Sequence, residues 1–154
     1  MTSGRILGIA TRNKSRAAMR LHQQIDVTVD HGLDGDFRGR RGPRQVTVLS
    51  EHAWQSACRE LGTELSWTTR RANLLVDGLD LMHSTGAILQ VGDVTLKVTS
   101  EADPCQRMNE SSRGLMDALT PQWRGGVCCQ VIRGGIIRVG DVATVQASAD
   151  VQAN

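Results

Sequence analysis

Val94-Thr-Leu-Lys-Val-Thr-Ser-Glu-Ala-Asp-Pro-Cys-Gln-Arg107 decides the reading of the fold and points to the chemistry. Val94, Leu96 and Val98 alternate with Thr95, Lys97 and Thr99, the two-residue period of a strand with one face buried. Pro104 has no N–H and cannot continue a central ladder, so the strand ends there. The proline also fixes its own φ and pushes Asp103 toward an extended conformation, so Cys105 is aimed by stiff backbone at a strand exit. Arg107 favours a thiolate at Cys105, whereas Asp103 opposes one. The plainer alternative is a single partly buried cysteine in a loop.

Outward from this stretch the chain is a series of short strand-type runs: Ile6 to Ala10, Ile25 to Val29, Gln45 to Leu49, Asn73 to Val76 and Ala87 to Val91. Three more follow it, Val127 to Ile132, Ile136 to Val139 and Val142 to Val145, with Gly134-Gly135 and Gly140-Asp141 as the tight turns between them. Gln90-Val-Gly-Asp-Val94 recurs as Arg138-Val-Gly-Asp-Val142, which predicts two similar hairpins but falls short of a repeat architecture. Regular short strands of this kind predict a mostly β fold, a closed or nearly closed β-barrel with a few short peripheral helices. A length of 154 residues predicts a single domain over 1–154, with its core at about 5–146 and a loose tail over 147–154.

One helix is well marked. Ser50 caps it, Glu51 suits its N-terminal dipole, Gly62 ends it, and Ala53, Trp54, Ala57, Cys58 and Leu61 share one apolar face. Cys58 therefore belongs to the core. A second helix is predicted from Ser112 to Leu119, ending before Pro121.

Composition excludes several classes. A net charge of +2 and 3% aromatic residues argue against a dedicated nucleic-acid binder. Cys58, Cys105, Cys128 and Cys129 contain no C-x-x-C pair, which fits a reduced, cytoplasmic setting. The apolar stretch Ile6 to Ala10 is too short for a signal-peptide core or a bilayer span, so no membrane association is expected. His22, His31, His52 and His83 lack the spacing of a zinc hydrolase helix, and neither a phosphate-loop nor a nucleophile-elbow motif occurs. Cys128 and Cys129, adjacent on a predicted strand, face opposite sides and make a poor joint metal site.

Charge is nevertheless uneven. Arg38, Arg40, Arg41 and Arg44 crowd together with Gly39, Gly42 and Pro43, and Arg70-Arg71 form a second pair. Such clusters are either solvated loops or anion sites. Gly32-Leu-Asp-Gly-Asp-Phe-Arg38 reads as a constrained turn in which carboxylates, Asp36 among them, bond nearby backbone amides. Asn73 either orders a loop through its amide or contacts a ligand, and Gly125-Gly126 lets backbone approach something closely.

Taken in order, Gly32-Leu-Asp-Gly-Asp36, Arg44-Gln-Val-Thr-Val-Leu-Ser50, Arg71-Ala-Asn73, Gly86 with Val91-Gly-Asp93, Pro104-Cys105, Gly125-Gly-Val127 and Gly135-Ile-Ile-Arg-Val-Gly-Asp141 resemble a MOSC domain. The name denotes the C-terminal domain of molybdenum cofactor sulfurases, and the resemblance runs from about Arg5 to Val145. It implies a barrel-like domain whose Cys105 ligates molybdenum or carries activated sulfur. A thiolate is a soft, strongly donating ligand, which suits that role. The resemblance also implies arginines on the phosphate of the molybdenum cofactor, for which Arg44, Arg70 and Arg71 are the candidates, followed by Arg38, Arg40 and Arg41. Asp36, Asn73, Gly125 and Gly126 complete the implied pocket. The chain departs from the family where many relatives carry histidine after the Gly-Asp turn, here Phe37, and where Gly-Glu-Asn is common, here Arg71-Ala-Asn73. No aminotransferase-like region accompanies the domain, so pyridoxal phosphate is not expected.

Three functions follow. The leading one is a small molybdenum-dependent oxidoreductase that reduces N-hydroxylated compounds, with Cys105 on the metal and electrons from a separate reductase. The second is a non-catalytic carrier that delivers the cofactor or a persulfide sulfur to an acceptor protein. The third, a barrel binding a small anion or nucleic acid through its arginines, ranks last because charge is modest and stacking residues are few. The sequence sets neither the substrate nor the oligomeric state.

Overall fold

The computed structural model describes residues 2–147. Its strands are β1 (Thr2–Thr11), β2 (Arg20–Leu21), β3 (Gln24–Thr28), β4 (Gly32–Leu33), β5 (Val46–Ser50), β6 (Leu74–Val76), β7 (Ile88–Val91), β8 (Val94–Glu101), β9 (Val127–Arg133), β10 (Gly135–Arg138) and β11 (Val142–Gln146). The helices are α1 (Glu51–Leu61), α2 (Met108–Ser111) and α3 (Leu115–Leu119). The tail expected from residue 147 lies, beyond that residue, outside the described part.

Strands β11, β7, β8, β9, β5, β6 and β1 follow one another in a single sheet, and β1 pairs with β11 to close it into a barrel. Neighbours are antiparallel except β5 and β6, which run parallel because α1 carries the chain across between them. A small sheet of β10, β3 and β4 sits beside the barrel. The alternation at 94–99 is realised as read: Val94, Leu96 and Val98 are wholly buried while Lys97 is exposed. They join Ile6, Ile9, Val46, Val48, Leu74, Leu89, Val131 and Cys129 in a core that fills the barrel.

A second apolar cluster lies outside the barrel wall. Leu49 and Leu75, the outward residues of β5 and β6, pack against Trp54, Ala57 and Cys58 of α1 and Leu115, Ala118 and Leu119 of α3. The caps of α1 fall where the sequence puts them. The Ser50 hydroxyl accepts the Ala53 N–H at 3.3 Å, and Gly62 takes a left-handed turn whose N–H donates to the Cys58 and Arg59 carbonyls. Losing such an N-cap costs about 1 kcal/mol.

Three local expectations are corrected. The helix predicted over 112–119 is shorter, α3 at Leu115–Leu119, because Ser112 is extended at φ −159° and closes the preceding helix α2 instead of opening a new one. Gly134-Gly135 is no hairpin turn: β9 belongs to the barrel, whereas β10 pairs with β3, so the chain passes from one sheet to the other there. The repeated Val-Gly-Asp phrases also differ. The first joins the β7–β8 hairpin, while the second connects β10 to β11 in different sheets, and the two turns abut through the Gly92 N–H on the Val142 carbonyl at 3.1 Å.

Candidate functional site

The exit of β8 is tied down before it reaches the cysteine. The Ala102 N–H donates to the Gly126 carbonyl at 2.9 Å. Arg70 then clamps both segments: its Nε donates to the Gly125 carbonyl at 2.9 Å and a terminal nitrogen to the Ala102 carbonyl at 2.8 Å. Its other terminal nitrogen lies 3.9 Å from the Met108 sulfur. Gly125 is required for this, since a Cβ there would stand 2.7 Å from the Ala102 carbonyl oxygen. Gly126, at φ +95°, is required by the barrel instead, because its Cβ would stand 2.3 Å from the Val48 carbonyl oxygen. Beyond the clamp, Cys105 is the one exposed thiol among the described residues; Cys58, Cys128 and Cys129 are buried.

Cys105 stands at the edge of a cavity of about 320 Å³ on the outer flank of the barrel, within the size range of small-ligand sites. Its wall holds Arg12, Arg16, Arg38, Arg44, Arg70, Arg71 and Arg107 against only Asp36, Asp103 and Glu110. Of the residues singled out from the sequence, Asp36, Arg44, Arg70, Arg71, Asn73, Cys105 and Gly125 are brought together here, while Gly126, Arg40 and Arg41 stay out of the wall. Arg41 pairs with Asp30 on the surface.

Several of these residues build the cavity. The Asp36 carboxylate accepts the Arg12 N–H at 3.1 Å and the Arg38 N–H at 3.3 Å, so it fixes two loops that each carry an arginine. Buried Asn73 accepts the Thr47 N–H at 3.0 Å and donates to the Ala10 carbonyl at 3.1 Å, locking β1, β5 and β6 together. Arg71 donates to the Ala17 carbonyl and holds a left-handed backbone at φ +68°. Arg16, at φ +65°, does likewise. Non-glycine residues in that region cost about 1–3 kcal/mol and concentrate at functional sites.

The arginines are crowded enough to disturb one another. Burial lowers the pKa of Arg12, and the charges of Arg71, Arg38 and Arg107 lower it further, partly offset by Asp36. Burial also lowers the pKa of Arg71, again helped by Arg107. An anion seated among these four guanidiniums relieves the repulsion and replaces their lost water contacts with charge-assisted hydrogen bonds. Burial likewise lowers the pKa of Arg70, and the charge of Arg44 lowers it further.

Sequence reading missed Arg12, Arg16, Met108 and the wall position of Cys128. No motif marks them, but Arg12, Lys14 and Arg16 interrupt the chain just after β1 with a charge density close to that of the 38–44 loop. Counting charge there would have found the second side of the cavity.

The sequence profile of the MOSC domain matches residues 31–144. The chain belongs to the MOSC domain family. This MOSC domain is similar in structure to the YuaD protein of Bacillus subtilis, with a TM-score of 0.78 at 18% identity over 96% of this chain and 99% of that one. It is similar also to YiiM of Escherichia coli, with a TM-score of 0.70 at 18% identity over 93% of this chain and 70% of that one. YiiM of Geobacillus stearothermophilus gives 0.66 at 14% identity, over 93% and 73% of the two chains. At such identities the likeness speaks for the fold. No curated protein matches the sequence. No helix of the described residues is long and apolar enough to cross a membrane.

The family is generally associated with the molybdenum cofactor, and the donor set of this cavity fits that group. Among the described residues no three His, Cys, Asp or Glu side chains gather to hold a bare ion. A metal at Cys105 therefore has to bring its other ligands with it, and the arginine wall suits an anionic carrier of that metal.

Proposed function

We propose that this MOSC domain binds the molybdenum cofactor and reduces N-hydroxylated or N-oxygenated compounds in the cytoplasm, taking electrons from a separate donor protein. One observation carries the reading: the single exposed thiol of the described chain stands on the rim of an arginine-lined cavity. Cys105 is the metal's protein ligand, and Arg12, Arg38, Arg71 and Arg107 hold the cofactor's phosphate. Arg70 acts differently, keeping the Cys105 loop against Gly125. Asp36 and Asn73 hold the arginine loops and the strand ends in place. When bound, the cofactor supplies two-electron chemistry at oxygen, by which an N–OH group, two electrons and two protons become N–H and water. The protein's share is to bind, orient and shield.

Metal and pterin analysis tests this. Wild-type protein from a molybdenum-replete, cofactor-synthesising host is expected to contain both in comparable amounts. Cys105→Ala is expected to lose at least about ten-fold in bound metal, a change of about 1.4 kcal/mol or more, while its melting temperature stays within a few degrees. Wild-type protein holding neither component sinks the proposal.

The exposure of Cys105 also favours a second reading, a carrier that hands the cofactor or a persulfide sulfur to an acceptor protein. Turnover of an amidoxime with a reconstituted donor supports the enzyme. Transfer to an apoenzyme without turnover supports the carrier.

A further inference from the structure

The cofactor reading leaves Arg44 without a task. It lines the cavity with Cys105, yet the charges that disturb Arg12 are those of Arg71, Arg38, Asp36 and Arg107. Arg44 instead follows Pro43, whose carbonyl faces the same Thr99 hydroxyl as the Cys128 carbonyl, and its charge bears on Arg70. It enters none of the ion pairs among the described residues, which join Arg16, Arg41 and Arg124 to carboxylates. Its head is exposed.

Its base, in contrast, is fixed on both sides. The Pro43 carbonyl accepts from the Thr99 hydroxyl of β8. Gln45 is buried, donates to the Val29 carbonyl at 2.7 Å and the Gly39 carbonyl at 2.9 Å, and accepts the Val131 N–H at 2.9 Å. A solvated arginine loop has no need of such anchoring. A guanidinium that must meet a ligand in a set position does, because less motion is then lost on binding.

Resting on the cofactor reading, we infer that Arg44 reads an anionic group on the substrate, so the preferred substrates are N-hydroxylated or N-oxygenated compounds carrying a carboxylate or phosphate. The planar fork of a guanidinium takes either group through two parallel hydrogen bonds. The root of Arg44 beside β8, which leads to Cys105, and β9, which carries Cys128, sets that anion at the metal side of the cavity, whereas Arg12 and Arg71 enter the wall from the ends of β1 and β6.

The probes are benzamidoxime and its 4-carboxy derivative. Their equilibrium binding to the oxidised protein is measured without electron donor, and kcat/KM is compared where a donor is supplied. The carboxylate probe is expected to bind wild type at least about ten-fold more tightly, the effect of one charge-assisted contact. Arg44→Gln is expected to bring the two probes within about two-fold, with metal content, pterin content and melting temperature as in wild type. Equal binding of both probes to wild type, or a preference that survives in Arg44→Gln, overturns the inference. So does a fall of metal and pterin in Arg44→Gln, since Arg44 then holds the cofactor itself. If wild type carries no metal, the cofactor reading is what fails. A carboxylate preference lost in Arg44→Gln still upholds the anion site on that protein, and its absence removes it.

Discussion

Cys128 and Cys129 are neighbours on β9 and live in different chemical worlds. Cys129 points into the barrel among Val46, Val48, Val98 and Val127, where burial, and then Cys128, push its thiol pKa far above the ordinary value. Cys128 points outward into the wall of the arginine cavity. The register repeats the division on the facing strand, where Thr47 opposite Cys128 borders the cavity and Val46 opposite Cys129 fills the core. The same strands thus serve two ends: their inner face is apolar and supplies cohesion, while Thr47 and Cys128 on the outer face border the arginine cavity. Residues on the two faces should therefore fail in different ways.

The largest expected effect tests the inner face. Leu96→Ala removes a fully buried side chain and is expected to cost about 3 kcal/mol, with cofactor content per folded molecule unchanged. Denaturant melts check the first part and metal analysis the second. Loss of cofactor from correctly folded Leu96→Ala breaks the division of labour.

Next comes the clamp, which belongs to both faces. Arg70→Met strands the Ala102 and Gly125 carbonyls, and is expected to cost about 2 kcal/mol while also lowering metal retention at Cys105. A variant as stable as wild type shows that the clamp holds nothing.

The outer face gives the opposite sign. Arg71→Gly frees a left-handed position and is expected to raise stability by about 1 kcal/mol while weakening retention of the phosphate-bearing cofactor. A destabilised variant shows that the contact to Ala17 outweighs the strain.

The smallest effect depends on pH. Burial, and then the charge of Asp103, raise the pKa of Glu101. The folded state therefore holds this proton more tightly than the unfolded chain, so the contribution is unfavourable at neutral pH and disappears as pH falls below the ordinary carboxylate value. Glu101 is partly exposed, and solvent screening limits the gain from Glu101→Gln to a few tenths of a kcal/mol at pH 7. Urea midpoints at pH 7 and pH 4 measure it; a gain of equal size at both argues for packing instead.

Much of this was legible beforehand. Alternation at 94–99, the caps at Ser50 and Gly62 and the glycine-bounded runs are short-range signals, because strand period, capping and turns depend on neighbours only a few residues apart. The errors lay where the partner is distant. Nothing local says that β10 leaves β9 for β3.

The site divides along the same line. By itself the sequence determined the barrel, the stiff exit that presents Cys105, and the presence of clustered arginine. Only the tertiary structure decided that Arg12 and Arg16, far along the chain from Arg71 and Arg107, complete one cavity with them, and that Arg70 turns its charge onto backbone carbonyls. The physical reason is range. Backbone preference acts between neighbours, whereas a cavity and the charges that crowd it exist only after strands distant in sequence have closed the barrel.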